Sequence, residues 1–210
     1  IASTFGLHTW NQAEQNPILY YKTTPDLEKK HRIQHDEKSV QGSIRLSRFC
    51  VEKSHPDFVP MILLNTLFGG FFGSRLMSNI REEKGYTYGI HSMILNQRHA
   101  TALMISTEVG KEVCELVIQE IYKEMDILKN ELVSEDELNL VKNYLLGSIL
   151  SSIDGSFQIM QRWKSLILNG FDEQRFNNNI EIYKHIQASE LQTLAQTYFV
   201  QDSFYELIVV

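Results

Sequence analysis

Alternating hydrophobic and polar residues predict four β-strands in this chain. The clearest alternation lies in residues 42–51, where Ile44 and Leu46 alternate with polar neighbours, as expected for a half-buried strand. Three further strand-like runs cover residues 86–95, 99–108 and 203–210. A short polar segment joins the first two of these runs, so they predict an antiparallel hairpin. The last run ends the chain and is predicted to be a core strand.

Hydrophobic residues spaced three or four positions apart predict two helices between the first strand and the hairpin. The first helix follows Ser54 and Asp57, which are spaced like a capping box, and it ends at the glycine pair 69–70. The second helix follows Ser74 as its cap and is closed by Gly85. Both helices are short, and glycine marks the C-terminal end of each.

The second half of the chain is predicted to be mostly helical. Apolar stripes at helical spacing mark five segments, in residues 110–130, 134–150, 156–170, 172–186 and 189–199. The stripe of the first segment consists of Val113, Leu116, Val117, Ile121 and Leu128. Two of the other segments begin with a capping box, formed by Ser134 with Glu137 and by Ser189 with Gln192.

The order of these elements favours an α+β fold, because strands and helices come in runs rather than in strict alternation. We expect an antiparallel sheet with helices packed mainly on one face. No interdomain linker is visible, so residues 1–210 are expected to form a single domain. The pattern is weakest in residues 1–40. There, residues 16–23 could form one strand, and the charged residues 25–38 indicate a loop or a short helix.

Composition and charge exclude several classes of protein. The chain has 210 residues, of which 43% are hydrophobic, and this is enough to bury a core. Its net charge of -6 argues against a nucleic-acid-binding surface. No stretch approaches the roughly 18 apolar residues that a membrane span needs. The chain begins at Ile1 and is interpreted as a piece of a longer or processed protein, so its localisation is unknown.

Cysteine and histidine patterns do not indicate a metal site. Cys50 and Cys114 form no CxxC motif and lie among apolar residues, so we expect buried free thiols, with a single disulfide as the alternative. His31 and His35 would share one helix face, but their segment is strongly hydrophilic. The zinc-peptidase signatures HExxH and HxxEH are both missing from the sequence. We therefore expect no cofactor in this chain.

The glycine-rich stretch from Leu67 to Ser92 is the most distinctive part of the sequence. It matches neither the phosphate-binding loop GxxxxGK[ST] nor the dinucleotide fingerprint GxGxxG. Gly73 and Ser74 could bind an anion at a helix N-terminus. The favoured interpretation is that these glycines only turn the chain between two helices.

Two side chains in this stretch could bind a peptide. Arg81 lies near the end of the predicted helix and Tyr88 lies in the strand after it, so the turn between them can bring both to one side. A guanidinium offers a fixed fork of donors and a phenol offers a hydroxyl, which suit a peptide carbonyl or a developing oxyanion. The alternative is structural: Arg81 pairs with Glu82 or Glu83, and Tyr88 packs in the core.

Residues 63–92 resemble the second, non-metal-binding domain of the pitrilysin, insulinase and mitochondrial-processing-peptidase family of zinc metallopeptidases. That domain shows a GG…SRL…IREK-G-x-x-Y pattern. The matching residues are Gly69, Gly70, Ser74, Arg75, Leu76, Ile80, Arg81, Glu82, Gly85 and Tyr88. The resemblance implies one half of a two-half, clam-shell peptidase and extends over the whole chain, more weakly in residues 1–40.

The resemblance also implies a division of labour between the two halves. A partner half, in the same polypeptide or a separate chain, would carry HxxEH and bind zinc. This chain, inactive alone, would hold the peptide substrate and stabilise the oxyanion through Arg81 and Tyr88. Arg75 and the glycines keep a structural interpretation. The alternative is a non-catalytic binding or structural subunit of the same fold, and a homo-oligomer is also left open.

Overall fold

A five-stranded sheet organises the computed structural model, which describes residues 27–97 and 100–210. The strand order is β1-β5-β2-β4-β3. The strands are β1 (Lys30–Ile33), β2 (Gln41–Cys50), β3 (Thr87–Gln97), β4 (Ala100–Gly110) and β5 (Tyr205–Val209). β2 pairs antiparallel with both β4 and β5, β3 and β4 form the predicted hairpin, and β1 pairs with β5 in parallel. The expected α+β fold is confirmed, with one parallel pair in a largely antiparallel sheet.

Helices fill the connections between the strands. They are α1 (Phe58–Asn65), which continues as a π-helix (Thr66–Gly70), the π-helical α2 (Met77–Glu83), α3 (Cys114–Asn130), α4 (Glu135–Ser151), α5 (Ser156–Leu168), α6 (Glu173–His185) and α7 (Ala188–Tyr198). Short 3₁₀ turns precede α3 and β5. None of the helices among the described residues is both long and apolar enough to cross a membrane.

The core lies between one face of the sheet and the helices. Ile44 and Leu46 of β2 are fully buried on that face, as their alternation predicted. Phe68 packs against Phe199, the residue after α7, with ring centroids 4.8 Å apart. On α3, Leu116 is 46% exposed, so its assignment to the buried stripe was wrong. The helix instead buries residues such as Val117, Ile121 and Leu128.

Strand β1 corrects the prediction of a loop or short helix in residues 25–38. Lys30–Ile33 pairs with Glu206–Val209, and the amide of Glu206 donates to the carbonyl of Lys29 over 2.7 Å. His31 therefore lies on a strand, and no helix face is shared with His35. The segment is hydrophilic because it is an edge strand whose charged side chains pair with β5 and α3. The possible strand at residues 16–23 lies outside the described residues.

None of the three predicted capping boxes forms in full, but one of them supplies the predicted N-cap, while the Glu137 carboxylate binds Arg75. The Ser134 hydroxyl accepts from the amide of Glu137 over 3.3 Å, as predicted. The box at Ser54 and Asp57 was wrong, because the Asp57 carboxylate instead accepts from the hydroxyl of Tyr198 over 2.6 Å. The third box also lies elsewhere than predicted at Ser189 and Gln192: it joins Gln187 and Glu190, two residues earlier.

Both cysteines are free thiols, as the first of the two interpretations expected, but only Cys114 is buried and Cys50 is partly exposed. Burial raises the pKa of both the Cys50 and the Cys114 thiols above the ordinary value. Gly42 of β2 leaves room for Cys114, since a Cβ there would lie only 2.3 Å from its Sγ. The thiols are therefore poor nucleophiles at neutral pH, because only the thiolate reacts.

Candidate functional site

The helix that carries Arg81 is fixed on two sides. Ile80 of α2 is fully buried in the core. The side-chain amide of Asn79 donates through Nδ2 to the Glu124 carboxylate over 2.6 Å, and the Lys84 ammonium donates to Asn79 Oδ1 over 2.7 Å. The Asn79–Glu124 bond ties α2 to α3 on the buried side. Arg81 lies on the other side and keeps a side-chain exposure of 34%.

The Arg81 guanidinium lies over an aromatic ring rather than in a strong ion pair. Its Cζ is 4.7 Å from the ring centroid of Phe72, in the geometry of a cation–π contact. The nearest carboxylate oxygen, from Glu82, is 4.0 Å from Nη1. An exposed pair at that distance contributes little. The predicted pairing of Arg81 with Glu82 is therefore marginal, and the N–H fork can still donate to a ligand.

A β-bulge presents Tyr88 to solvent. Gly85 ends α2 in the left-handed conformation, with φ of 65°, and β3 begins at Thr87. Thr87 pairs with Val109 and Ile90 pairs with Thr107, so three steps along β3 match two along β4. Such an extra residue bends a strand and redirects its side chains. The Tyr88 side chain is 97% exposed, which rules out the alternative that it packs in the core.

Threonine hydroxyls hold this bulge in place. The Thr87 hydroxyl contacts the carbonyl of Glu108 over 2.8 Å and accepts from the amide of Gly89 over 3.1 Å. The Thr107 hydroxyl reaches the carbonyl of Gly89 over 2.9 Å. The backbone on both sides of Tyr88 is thus anchored to β4, although the phenol itself is free in solvent.

The structure does not join the two predicted residues to each other. Among the described residues, neither a hydrogen bond nor a ring contact links Arg81 with Tyr88. Arg81 instead contacts Phe72, which sequence reasoning missed. The signal was the pair of phenylalanines after the glycine pair 69–70, of which Phe71 packs against the core and Phe72 is exposed.

The loop 71–75 fixes the position of Phe72. Phe71 stacks on Tyr144 of α4 with ring centroids 4.7 Å apart, and a Cβ on Gly73 would lie 2.9 Å from the Phe71 ring. Arg75 forms a bidentate ion pair with Glu137 of α4, with Nε 2.7 Å from Oε1 and Nη2 2.8 Å from Oε2, as expected for a structural arginine. The loop is therefore held at both ends, with Phe72 between them, 63% exposed.

The other chemistry considered from the sequence finds no support in the geometry. Ser74 is buried and its hydroxyl has no partner, so an anion in solvent cannot reach it. Gly69 has a packing role instead: its backbone lies so close to β3 that a Cβ there would be 2.9 Å from the amide nitrogen of Ser92. Within residues 27–97 and 100–210, no three His, Cys, Asp or Glu side chains are grouped to hold a metal ion.

Comparison with protein families identifies the class of protein. The profile of the family described as "Peptidase M16 inactive domain" matches residues 1–145. The chain belongs to this family of inactive domains of zinc proteases. The resemblance found in residues 63–92 is thereby confirmed.

Individual relatives agree with this assignment. The chain is 24% identical over 178 residues to "Uncharacterized zinc protease YmxG" of Bacillus subtilis, covering 84% of this chain and 43% of the relative. It is 27% identical over 128 residues to "Probable inactive metalloprotease YmfF" of the same organism, covering 60% and 30%. The chain thus spans less than half the length of these curated relatives.

A solved structure shows the same fold. The crystal structure of a peptidase M16 inactive domain from Pseudomonas fluorescens superimposes with a TM-score of 0.77 at 22% identity. The match covers 86% of this chain and 43% of that chain.

The contact between Phe72 and Arg81 makes a prediction about stability. We expect Phe72→Leu to lower the free energy of unfolding by about 0.5–1 kcal/mol, the usual worth of an exposed cation–π contact. Urea denaturation of the single variants Phe72→Leu and Arg81→Gln, and of the double variant, measures the coupling energy. Phe72→Trp should retain the coupling. Strictly additive effects of the two single changes would show that the contact contributes nothing.

Proposed function

We propose that this chain is the substrate-binding half of a zinc metallopeptidase and is inactive alone. Arg81 and Tyr88 would hold the peptide and stabilise the oxyanion at a zinc site on the partner half. The observation that carries this proposal is the exposure of Tyr88. A bulge anchored by threonines holds a tyrosine 97% exposed, although burial of the ring would stabilise the fold.

The two side chains suit different parts of a bound peptide. The Arg81 fork supplies several N–H donors in fixed geometry and can bind successive peptide carbonyl oxygens. The Tyr88 hydroxyl supplies one donor on a short, anchored backbone segment. It can donate to the oxygen of the scissile carbonyl as negative charge develops there. Both donors lie on elements tied to the core, so little conformational entropy is lost when a peptide binds.

Zinc chemistry would come from the partner half. Zinc bound there would lower the pKa of a coordinated water, and the chemistry it would supply is a hydroxide nucleophile at neutral pH. The described residues of this chain offer no group of three metal ligands, so no zinc ligand is assigned here. In this proposal the chain's own contribution is to bind, orient and neutralise charge, and it acts only when the two halves close on the substrate.

The test is peptidase activity of the chain assembled with its zinc-binding half on a library of unstructured peptides. We expect Arg81→Lys to raise KM about tenfold, because a lysine cannot reproduce the planar fork. Arg45→Lys, on β2, is the matched control: that arginine pairs with Glu108 over 2.8 Å and should tolerate the change. An unchanged KM in Arg81→Lys would show that Arg81 does not bind the peptide substrate.

A second candidate is a non-catalytic binding or structural subunit. It is favoured by the relative whose name describes an inactive metalloprotease. In that case the assembled halves would cut no peptide in the library, and neither Arg81→Lys nor any other change at this surface would alter a rate. Assembly without activity would therefore decide for this candidate.

A further inference from the structure

A cavity lies between helices α1, α5 and α6, and its lining is unusual in charge. Its volume is about 200 Å³. Three cationic side chains line it, Lys53, Arg162 and Arg175, and its lining includes neither aspartate nor glutamate. We refer to it as the cationic cavity. The surrounding chain has a net charge of -6, so this concentration of positive charge runs against the overall balance.

None of the three cations has a carboxylate partner within the part of the chain that the structure describes. Arg175 donates to the backbone carbonyl of Lys53 over 3.1 Å, and Lys53 donates to the side-chain oxygen of Asn169 over 3.4 Å. Arg162 donates to the hydroxyl of Ser152. All their hydrogen-bond partners are therefore neutral.

Three other arginines of the chain are neutralised by carboxylates, whereas Arg48, among the described residues, donates only to backbone carbonyls. Arg32, Arg45 and Arg75 each contact a carboxylate oxygen at 2.8 Å or less. Half-buried like charges without counter-charges repel each other more strongly than they would in bulk water. The fold therefore leaves at this cavity a positive potential that an anion could neutralise.

The walls of the cavity are apolar and aromatic. The guanidinium of Arg162 lies 5.0 Å from the ring centroid of Phe176, and that of Arg175 lies 5.4 Å from the centroid of Phe171. These rings hold the two forks in place and leave N–H groups free to donate. Further apolar wall is supplied by Phe58, Val59, Ile62, Ile149 and Leu166.

One polar atom in the lining also lacks a partner. The Asn179 side-chain oxygen is buried and makes no hydrogen bond. The two ends of an asparagine amide are interchangeable in their placement. Turned over, the amide would direct its NH₂ group to this position, where it could donate to a carboxylate. A buried polar group without a partner is costly, so a ligand that satisfies it would gain affinity.

We propose that the cationic cavity binds a small organic carboxylate with an apolar body. The arginine forks match the planar carboxylate, and the apolar walls cover the body. A volume of about 200 Å³ is below that of most drug-sized sites, so the ligand is expected to be no larger than a phenyl ring with a short acid chain. This site is independent of the peptidase proposal and of Arg81 and Tyr88.

Calorimetric titration of the protein with 3-phenylpropionate tests the proposal. We expect saturable binding with one site per chain. The neutral analogue 3-phenylpropan-1-ol and acetate should each bind at least tenfold more weakly, because one lacks the charge and the other the apolar body. Arg175→Gln and Arg162→Gln should each weaken binding of 3-phenylpropionate about tenfold or more. Lys164→Gln is the matched control, since Lys164 lies on α5 but does not line the cavity.

Several outcomes would overturn the proposal. Equal binding of the alcohol and the acid would show that charge plays no part. Equal binding of inorganic phosphate and 3-phenylpropionate would show that the apolar walls play none. An equal loss in Lys164→Gln would indicate non-specific attraction to the helix surface. If both arginine variants unfold, the wild-type comparison of the acid, the alcohol and phosphate still decides the question.

Discussion

Replacing Tyr88 with phenylalanine is expected to lower kcat of the assembled peptidase about 100-fold and to leave KM nearly unchanged. One hydroxyl that donates to a developing oxyanion is typically worth about 10²-fold or more in rate. An effect on kcat alone identifies a contact made in the transition state. Because the Tyr88 side chain is 97% exposed, the substitution removes no packing, and the thermal midpoint should not move.

Tyr86→Phe is the matched control for this experiment. Tyr86 lies two residues earlier and packs partly against the core, so its hydroxyl faces a different environment. We expect its turnover to equal that of the wild type. Full activity of Tyr88→Phe in a folded assembly would leave the peptidase proposal standing but would deny Tyr88 a role in the chemical step.

Replacing Glu206 with glutamine is expected to lower the free energy of unfolding by about 3 kcal/mol, since it removes one partner of a buried charge network. Glu206 of β5 is only 2% exposed. Its carboxylate accepts from Arg32 over 2.7 Å and from the hydroxyl of Tyr122 over 2.8 Å, and Lys30 lies 3.4 Å away. Denaturant unfolding at neutral pH measures the loss.

The pH dependence of this loss provides a second test. Burial opposes ionisation of Glu206, but the hydrogen bonds from Arg32 and Tyr122 outweigh it and hold the pKa below the ordinary value of 4.5. A carboxyl whose pKa is lowered by folding contributes stability above its unfolded pKa and loses it as the pH falls. The difference in free energy of unfolding between wild type and Glu206→Gln should therefore become smaller as the pH falls below about 4.5.

Glu115→Gln is the control for this network. Glu115 also pairs with Arg32, at 2.5 Å, but it is 60% exposed. Exposed pairs contribute about 0–1 kcal/mol, so this change should cost less than 1 kcal/mol. If both glutamate variants lost the same small amount, the buried position of Glu206 would have no special energetic role.

Local patterns predicted the elements whose causes are local. The alternation around Ile44 and Leu46 gave β2, because a strand with one buried face must alternate. Ser134 predicted its own cap, since the hydroxyl and the amide of Glu137 are three residues apart. Gly85 marked the end of α2, where the backbone adopts a positive φ.

Interactions between distant residues decided what local patterns could not predict. β1 has no apolar alternation and exists because β5 pairs with it and Glu206 neutralises Arg32. The predicted capping box at Ser54 and Asp57 does not form, because the Asp57 carboxylate accepts from the hydroxyl of Tyr198, far along the chain. At the candidate site, Arg81 and Tyr88 were identified through a resemblance rather than through local chemistry. The contact of Arg81 with Phe72 could be found only from the folded structure of the loop 71–75.

The place of β5 in the sheet has a consequence for synthesis of the protein. β5 is synthesised after the other four described strands, yet it lies between β1 and β2, the first two of them. While the ribosome is still adding residues 205–209, β1 has no partner and β2 has one open edge. The sheet therefore cannot close until residues 205–209 have been made. Pairing across such a long separation also slows folding, because the entropy of closing the intervening chain is lost before the strand contacts form.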